Sequence, residues 1–351
     1  QEVSLPRMLE NPVGYMQFAD NRIYSGIALA IMIVAMIISV RIEQTRFGKS
    51  LLAIKQNEIA AEAVGIDTFR WKMKAMAISG FIAGLVGGFY AVVLLVVTPQ
   101  TVFGMLTSAQ ALIMALFGGV GIVWGPVIGA AVLVPLTEIL HAELGDKLPG
   151  IQGVVLGAAI IGIILYAPEG IYWKIRDLWV KRKGDAVAGA RTTPAQVFAP
   201  MPARVHDANA PVLMEVTGLS KSFGGLKAVR EVTFSVKQGE ILGIIGPNGA
   251  GKTTLFNLLN GIIPADSGVV MYAGENLIGL QPNQVCARGI GRTFQIVRPF
   301  ARLSILDNVV IGAYKAAATD AGAYHLAREA LARVGLAGDA HLLANGLTTR
   351  Q

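Results

Sequence analysis

The sequence predicts a multidomain chain, with an all-α bundle of apolar helices followed by an α/β domain. The 351-residue chain is 53% hydrophobic with a mean hydropathy of +0.55, and its apolar residues concentrate in the first half. From residue 212 onward, β-forming runs alternate with stretches of helical spacing. Between the halves, residues 184–211 are rich in Ala and Pro and lack apolar periodicity, which is typical of a linker.

The first half contains apolar runs of the length that crosses a bilayer. The five predicted spans are about residues 23–40, 75–97, 105–119, 124–140 and 151–167. A glycine-rich turn joins the third to the fourth. Glycines within the spans, including Gly80, Gly84, Gly87 and Gly88, favour close helix packing. We therefore expect residues 23–183 to form a polytopic transmembrane bundle.

Basic residues predict the orientation of this bundle. The loop 41–74 carries seven Lys and Arg residues, the stretch 174–183 carries five, and residues 98–108 carry no charge. The positive-inside rule places the first two stretches in the cytoplasm and the third outside. Residues 1–22 are then an extracytoplasmic segment, and the second half lies in the cytoplasm. The net charge of +7 is thus explained by topology rather than by nucleic-acid binding.

Residues 246–254 read Gly-Pro-Asn-Gly-Ala-Gly-Lys-Thr-Thr and fit the pattern of a phosphate-binding loop, G-x-x-x-x-G-K-[ST]. We interpret the preceding apolar run, 241–245, as a buried strand, and the following stretch, 253–260, as a helix. Backbone N–H groups, the helix N-terminus and the Lys252 ammonium would hold phosphates, and the Thr253 hydroxyl would ligate Mg²⁺. The alternative is a glycine-rich turn before a core helix. The predicted nucleotide-binding residues here are Gly246, Pro247, Asn248, Gly249, Ala250, Gly251, Lys252, Thr253 and Thr254.

Two further motifs flank the loop. Residues 219–229 read Leu-Ser-Lys-Ser-Phe-Gly-Gly-Leu-Lys-Ala-Val, and residues 291–295 read Gly-Arg-Thr-Phe-Gln. With the phosphate loop at these spacings, they resemble the ATP-binding cassette (ABC) family. The resemblance implies that residues 212–351 form an α/β P-loop ATP-binding cassette, incomplete at its end, that uses ATP and Mg²⁺.

The same resemblance implies roles for single residues. Phe223 would stack on adenine, and Gln295 would sense the Mg²⁺ and the γ-phosphate. Lys252 and Gln295 are thus the predicted catalytic residues, with Thr253 and Gln295 at the metal that accompanies ATP. A core aromatic and a surface amide are the alternatives for Phe223 and Gln295.

Residues 347–351, Leu-Thr-Thr-Arg-Gln, stand where the family carries its signature L-S-G-G-Q. Thr349 and Arg350 replace two glycines there. No acidic strand end or switch histidine follows, and the chain starts with Gln1, so both ends look cut. We therefore expect the complete protein to be an ATPase. This segment alone should bind nucleotide better than it hydrolyses it.

Three stretches of the first half, 46–66, 117–129 and 165–170, resemble the permeases of high-affinity branched-chain amino-acid importers. The resemblance implies an ABC importer in the bacterial cytoplasmic (inner) membrane, with a permease subunit fused to its cassette and importing branched-chain or hydrophobic amino acids. Its expected partners are a second permease subunit, a second cassette and an extracytoplasmic binding protein.

The cytoplasmic loop 41–74 contains a candidate coupling helix. Leu52, Ile59 and Ala63 fall on one helical face, and Glu58 and Glu62 lie beside it. Such a helix could dock on the cassette near Gln295 and carry its movement to the spans. A solvated connector is the alternative.

Other functions remain open. The same machinery could carry urea, short amides or aromatic acids, and a membrane-anchored regulatory ATPase without translocation is a rival of another class. An exporter is disfavoured because these spans are short. Glu138 and His141 lie near the outer end of the fourth span, where interfacial solvation explains them better than a substrate role.

Overall fold

The computed structural model describes residues 3–4, 16, 18, 20–94, 96–98, 104–144, 151–166, 170–172, 174–175, 209–295 and 298–346. The chain divides into two compact units, one of Gln1–Gln44 with Ala75–Thr192 and one of Thr45–Lys74 with Thr193–Gln351. Residues 45–74, most of the predicted loop 41–74, therefore belong to the same unit as the second half of the chain, although the sequence places them between two apolar helices of the first.

The first unit is helical in its described part. Its helices are α1 (Asn21–Gln44), most of α4 (Thr68–Leu94), α5 (Met105–Gly118), α6 (Gly125–Leu144) and α7 (Ile151–Tyr166). Two short strands, β1 (Val3–Ser4) and β2 (Val96–Val97), pair antiparallel. The spans predicted from the sequence fall on these five helices. By length and composition, α1 and α4 are the two described helices that could each cross a membrane alone, and stretches of α5 and α6 are shorter apolar helices.

Glycine allows close packing in this unit, at positions other than those predicted. A Cβ at Gly129 in α6 would lie 1.9 Å from the Met114 carbonyl oxygen of α5, and one at Gly118 would lie 1.7 Å from the Gly125 carbonyl oxygen. By contrast, no described residue lies within 4 Å of such a Cβ at any of the predicted positions, Gly80, Gly84, Gly87 and Gly88. Within the described part of this unit, these four glycines therefore do not pack against another helix, contrary to the prediction.

The second unit contains a four-stranded antiparallel sheet. Its strands are β3 (Val212–Phe223), β4 (Leu226–Lys237), β5 (Ser267–Tyr272) and β6 (Glu275–Asn276), in the order β4–β3–β5–β6. Val216 pairs with Phe234 on one side and Val270 on the other, and it is completely buried. The β-forming runs of the sequence predict strands over 212–216 and 229–236, which are shorter than the observed β3 and β4.

One predicted strand is absent. Residues 241–245 form no strand, and Ile241 and Ile245 are 97% and 96% exposed. An uninterrupted apolar run is typical of a strand that has neighbours on both sides. Among the described strands of this unit, none pairs with 241–245, so its backbone and side chains lack the partners that a buried strand needs.

The helices of the second unit are α8 (Lys252–Leu259), α9 (Pro282–Ala287), α10 (Ile305–Ala313) and α11 (Asp320–Arg333). Helix α8 buries Leu255, Leu258 and Leu259 against the sheet. Helices α10 and α11 form a second core, and each begins at a hydroxyl cap, Ser304 or Thr319. The helical spacing of residues 305–313 and 323–334 predicts both helices within three residues of their observed bounds.

The cytoplasmic loop supplies two helices to this second core, α2 (Arg46–Gln56) and α3 (Glu58–Ala63). Asn57 separates them with extended backbone, and its side chain accepts a hydrogen bond from the Ala60 N–H. We call the contact of α2 and α3 with α10, α11 and the segment 300–306 the docking seam.

Candidate nucleotide site and docking seam

The phosphate loop adopts a conformation that depends on glycine. Gly249 and Gly251 have φ angles of +84° and +82°, and Gly251 caps α8. A Cβ at Gly251 would lie 2.1 Å from the carbonyl oxygen of Ala228 in β4, so the loop is held close to the sheet. The Lys252 ammonium donates to the carbonyl oxygens of Gly246 and Pro247, at 2.6 and 2.7 Å. This cation is therefore held over the loop, at the N-terminus of a helix.

A cleft of about 510 Å³ lies beside the loop. Lys252 and Thr253 line it on one side and Arg292, Thr293 and Gln295 on the other. The structure thus brings together three predicted site residues, Lys252, Thr253 and Gln295, that are up to 43 positions apart in sequence (295 − 252). The remaining loop residues, 246–251, are exposed or partly so.

Arg292 is a cleft residue that sequence reasoning missed. Its guanidinium donates to Asn257 Oδ1 of α8 at 2.6 Å and stacks 5.0 Å from the centre of the Phe294 ring. Burial, and then the neighbouring Arg298, lower the pKa of Arg292. Because an arginine stays charged even so, the cleft gains a second fixed cation suited to phosphate oxygens.

Phe223, the predicted adenine contact, does not line the cleft beside the phosphate loop. It ends β3, is 47% exposed and is absent from the described lining of the cleft. The Lys221 ammonium lies 5.6 Å from the centre of its ring. An exposed ring next to the β3–β4 turn is free to stack on a flat base, and its role in adenine binding remains a prediction.

The docking seam contains an ion pair that joins α2 of the loop to α10 of the second half of the chain. Lys49 of α2 donates hydrogen bonds to Asp307 Oδ1 of α10 and to the Tyr324 hydroxyl of α11. The Tyr324 hydroxyl donates to the same carboxylate oxygen at 3.0 Å, and the Ser304 hydroxyl donates to the other at 2.7 Å. The Lys49 and Asp307 side chains are only 16% and 24% exposed. Every polar atom of this group therefore has a partner.

Both charged groups are stabilised in their ionised forms. Burial lowers the pKa of Lys49, but the hydrogen bonds with Asp307 and Tyr324 outweigh it and leave the pKa above its ordinary value of 10.5. Burial raises the pKa of Asp307, but the bonds from Lys49 and Ser304 bring it below 3.8. Burial also raises the pKa of the neighbouring Tyr314 to about 12. The pair is thus fully charged at neutral pH.

Two other contacts fix the ends of α2. Arg46 lies 4.4 Å over the Tyr314 ring, and Gln56 accepts a hydrogen bond from the Arg302 N–H at 2.8 Å. Between them, Ala53 and Ile54 are buried. Partly buried Phe294, the neighbour of Gln295, packs against the same hydrophobic cluster. The loop is thus docked on the second unit, and its proximity to Gln295 remains a prediction.

The predicted docking face is wrong in detail. The structure has two helices rather than one, because Asn57 interrupts the loop, and Ile59 is 43% exposed. The predicted Ala63 is buried and Leu52 is partly buried; the other buried residues of the two helices are Ser50, Ala53, Ile54, Ala60 and Ala61. Glu58 pairs with Lys72, and Glu62 accepts from Thr68, so both carboxylates serve the loop itself.

Several expectations fall outside the described residues. These are the motif 347–351 with Thr349 and Arg350, most of the linker 184–211 and most of residues 1–22. Glu138 is exposed on α6, and nothing is described of the His141 side chain.

The fold and site define a P-loop nucleotide-binding unit joined to a part built of apolar helices. Comparison with known families agrees. Residues 3–165 match the family described as the permease component of branched-chain amino acid transport systems, and residues 229–349 match the ABC transporter family. The chain therefore combines a part that matches the permease-component family with a part that matches the ABC transporter family.

Curated relatives resemble the second part. The high-affinity branched-chain amino acid transport ATP-binding protein BraF of Pseudomonas aeruginosa is 39% identical over 103 residues, 29% of this chain and 40% of that protein. LivG of Escherichia coli K12, described in the same words, is 40% identical over 103 residues, with the same coverage. The chain spans about 40% of the length of these relatives. A nucleotide-free ATP-binding cassette from an ABC transporter is 28% identical, covers 39% of this chain and 60% of its own, and has a TM-score of 0.35. The family matches, rather than this partial superposition, carry the assignment.

Proposed function

We propose that the chain is a permease–ATPase subunit of an ABC importer for branched-chain or other hydrophobic amino acids in the bacterial cytoplasmic membrane. The observation that carries the proposal is the second unit. It holds a phosphate loop and, docked on the same unit, the loop that the sequence places between two apolar helices. Nucleotide binding thus acts on a body that is covalently continuous with membrane segments.

Different residues of the cleft and of the phosphate loop are suited to contact the phosphates and the Mg²⁺ of ATP. The loop N–H groups, Lys252 and Arg292 offer donors and positive charge to phosphates. The Thr253 hydroxyl and the Gln295 amide oxygen, both on the cleft, fit as contacts for the Mg²⁺ that accompanies ATP. The described residues contain no cluster of three metal-binding side chains, so the phosphates and water would supply the other ligands.

Gln295 supports the link from nucleotide to membrane. It lines the cleft, whereas the adjacent Phe294 packs against the hydrophobic cluster that also contains Ala53 and Ile54 of the docked loop. A shift of 291–295 on binding the γ-phosphate would therefore be passed to this shared cluster. ATP changes the loop position only to the extent that it binds one arrangement more tightly than the other.

The lining of the cleft supports binding over rapid hydrolysis by this segment alone. Its nine described residues include no carboxylate, which would otherwise hold Mg²⁺ or orient the attacking water. A second cassette, in a homodimer or heterodimer, would complete the site. A second permease subunit and an extracytoplasmic binding protein would complete the importer.

The substrate class rests on the names of the relatives and on the permease family. The same machinery could carry urea, short amides or aromatic acids, and a regulatory ATPase without translocation is the rival of another class. Vesicles that contain the chain with its partner subunits separate these. ATP-dependent uptake of leucine, isoleucine and valine, lost with Lys252→Ala, supports the proposal, whereas nucleotide binding without uptake of any of these contradicts it.

A further inference from the structure

The docking seam contains a second cleft, separate from the phosphate loop. Its volume is about 440 Å³, within the range of pockets that hold small molecules. The loop contributes Arg46, Ser50 and Trp71, and α10 with the residues after it contributes Ile311, Tyr314 and Lys315. A molecule bound there would contact both sides of the seam.

The polar groups of this cleft are suited to an anion. Neither Arg46 nor Lys315 has a carboxylate partner among the ion pairs of the described residues. Ser50 is 2% exposed, and no hydrogen bond of its hydroxyl is found within the described part of the chain. Because Ser50 lines the cleft, its hydroxyl is available to donate a hydrogen bond to a ligand or to water there.

The rest of the wall is apolar. Trp71, Ile311 and the Tyr314 ring supply it, and the Arg46 guanidinium lies over that ring. The Lys315 stem passes over Gly65, with its Cγ and Cδ 3.7 Å from where a Cβ would be, and the Lys315 side chain is exposed. The cleft thus combines an apolar body with cations at its edge.

The ten described residues that line the cleft include no carboxylate. An amino acid bound there would leave its ammonium group without an anionic partner, whereas a carboxylate with the same carbon skeleton would not. We propose that this cleft binds an organic monoanion with an apolar body and no ammonium group. Because such a ligand bridges both sides of the seam, it stabilises the docked arrangement.

The test is calorimetric titration of the full chain in nanodiscs at neutral pH with 4-methylpentanoate, which is leucine without its amino group. We expect one 4-methylpentanoate bound per chain, and binding at least about tenfold weaker for leucine and for inorganic phosphate, which lacks the apolar body. Arg46→Gln should weaken 4-methylpentanoate binding about tenfold or more, and Ser50→Ala, which removes only the hydroxyl oxygen, should weaken it severalfold.

Controls isolate the cleft. Arg70→Gln, at an exposed arginine of the same loop outside the cleft, and Lys252→Ala, at the phosphate loop, should leave binding unchanged. Lys315→Gln alters an exposed charge that makes no ion pair within the described residues, so weaker binding there cannot be assigned to misfolding. Equal binding of leucine and 4-methylpentanoate, unchanged binding in both Arg46→Gln and Lys315→Gln, or equal heats with empty nanodiscs would each overturn the proposal. The test requires neither ATP nor uptake, so its failure would leave the proposed transport function unaffected.

Discussion

Replacing Lys49 with methionine removes one charge of the seam ion pair while keeping most of the side-chain volume. Removing one partner of a fully buried pair costs about 3–5 kcal/mol, and an exposed pair is worth at most about 1 kcal/mol. Lys49 and Asp307 are 16% and 24% exposed, between these limits. Because Asp307 keeps its bonds from Ser304 and Tyr324, we expect Lys49→Met to weaken docking by about 2 kcal/mol.

Hydrogen–deuterium exchange of α2 and α3 in the full chain measures this directly. Where exchange reports the equilibrium of local opening, 2 kcal/mol corresponds to about 30-fold faster exchange. Asp307→Asn and the double variant complete a double-mutant cycle, whose coupling energy should be about 1.5 kcal/mol.

Lys72→Met is the matched control, because it breaks a pair with Glu58 in which both side chains are about half exposed, 46% and 47%. Its effect on exchange should be less than about threefold. If Lys49→Met accelerates exchange no more than Lys72→Met does, the ion pair does not hold the seam and the reasoning is refuted.

Other predictions concern backbone fit and pH. Gly251→Ala should abolish nucleotide binding, because its Cβ would lie 2.1 Å from a carbonyl oxygen of β4. At Gly249 a Cβ meets no described atom within 4 Å, so Gly249→Ala should destabilise the loop by only about 1 kcal/mol, because of its positive φ. Titration with a fluorescent nucleotide compares the two variants. Gly129→Ala should lower the melting temperature in nanodiscs, because its Cβ would lie 1.9 Å from a carbonyl oxygen of α5, and Gly157→Ala, with open space, should not. Because the pKa of Asp307 is lowered in the folded chain, its ionised form contributes stability that is present above pH 3.8 and is lost as the pH falls through the lowered pKa. The exchange protection of α2, corrected for intrinsic rates, should therefore be constant from about pH 5 to pH 8 and fall in acid. Asp307→Asn should lack this acid transition.

Local signals predicted much of the fold. Helices α10 and α11 follow from apolar spacing and hydroxyl caps, and α8 follows from the loop motif. The prediction of a buried strand at 241–245 was wrong because a strand is buried only when other strands pair with it, and a local sequence pattern does not show such partners. The prediction of close packing at the glycines of α4 was wrong for a similar reason, since small residues permit close packing but do not specify a partner.

The nucleotide site could be predicted because its chemistry lies in one short motif. The docking seam could be predicted only as a contact. Lys49 counted in the sequence as one of seven basic loop residues that indicate topology, and nothing local pairs it with Asp307, 258 positions away. The spacing of Ser304 and Asp307, typical of a helix start, was the one available signal that this carboxylate has a structural role.

The central claim is that nucleotide at the phosphate loop acts on the membrane part through the docked loop. The most direct measurement is exchange protection of α2 and α3 in nanodiscs, with and without Mg-ATP, in the original chain and in Lys252→Ala. The account predicts that Mg-ATP changes protection of these two loop helices in the original chain and has no effect in Lys252→Ala. Nucleotide that binds at the loop and leaves the protection of α2 and α3 unchanged would contradict it.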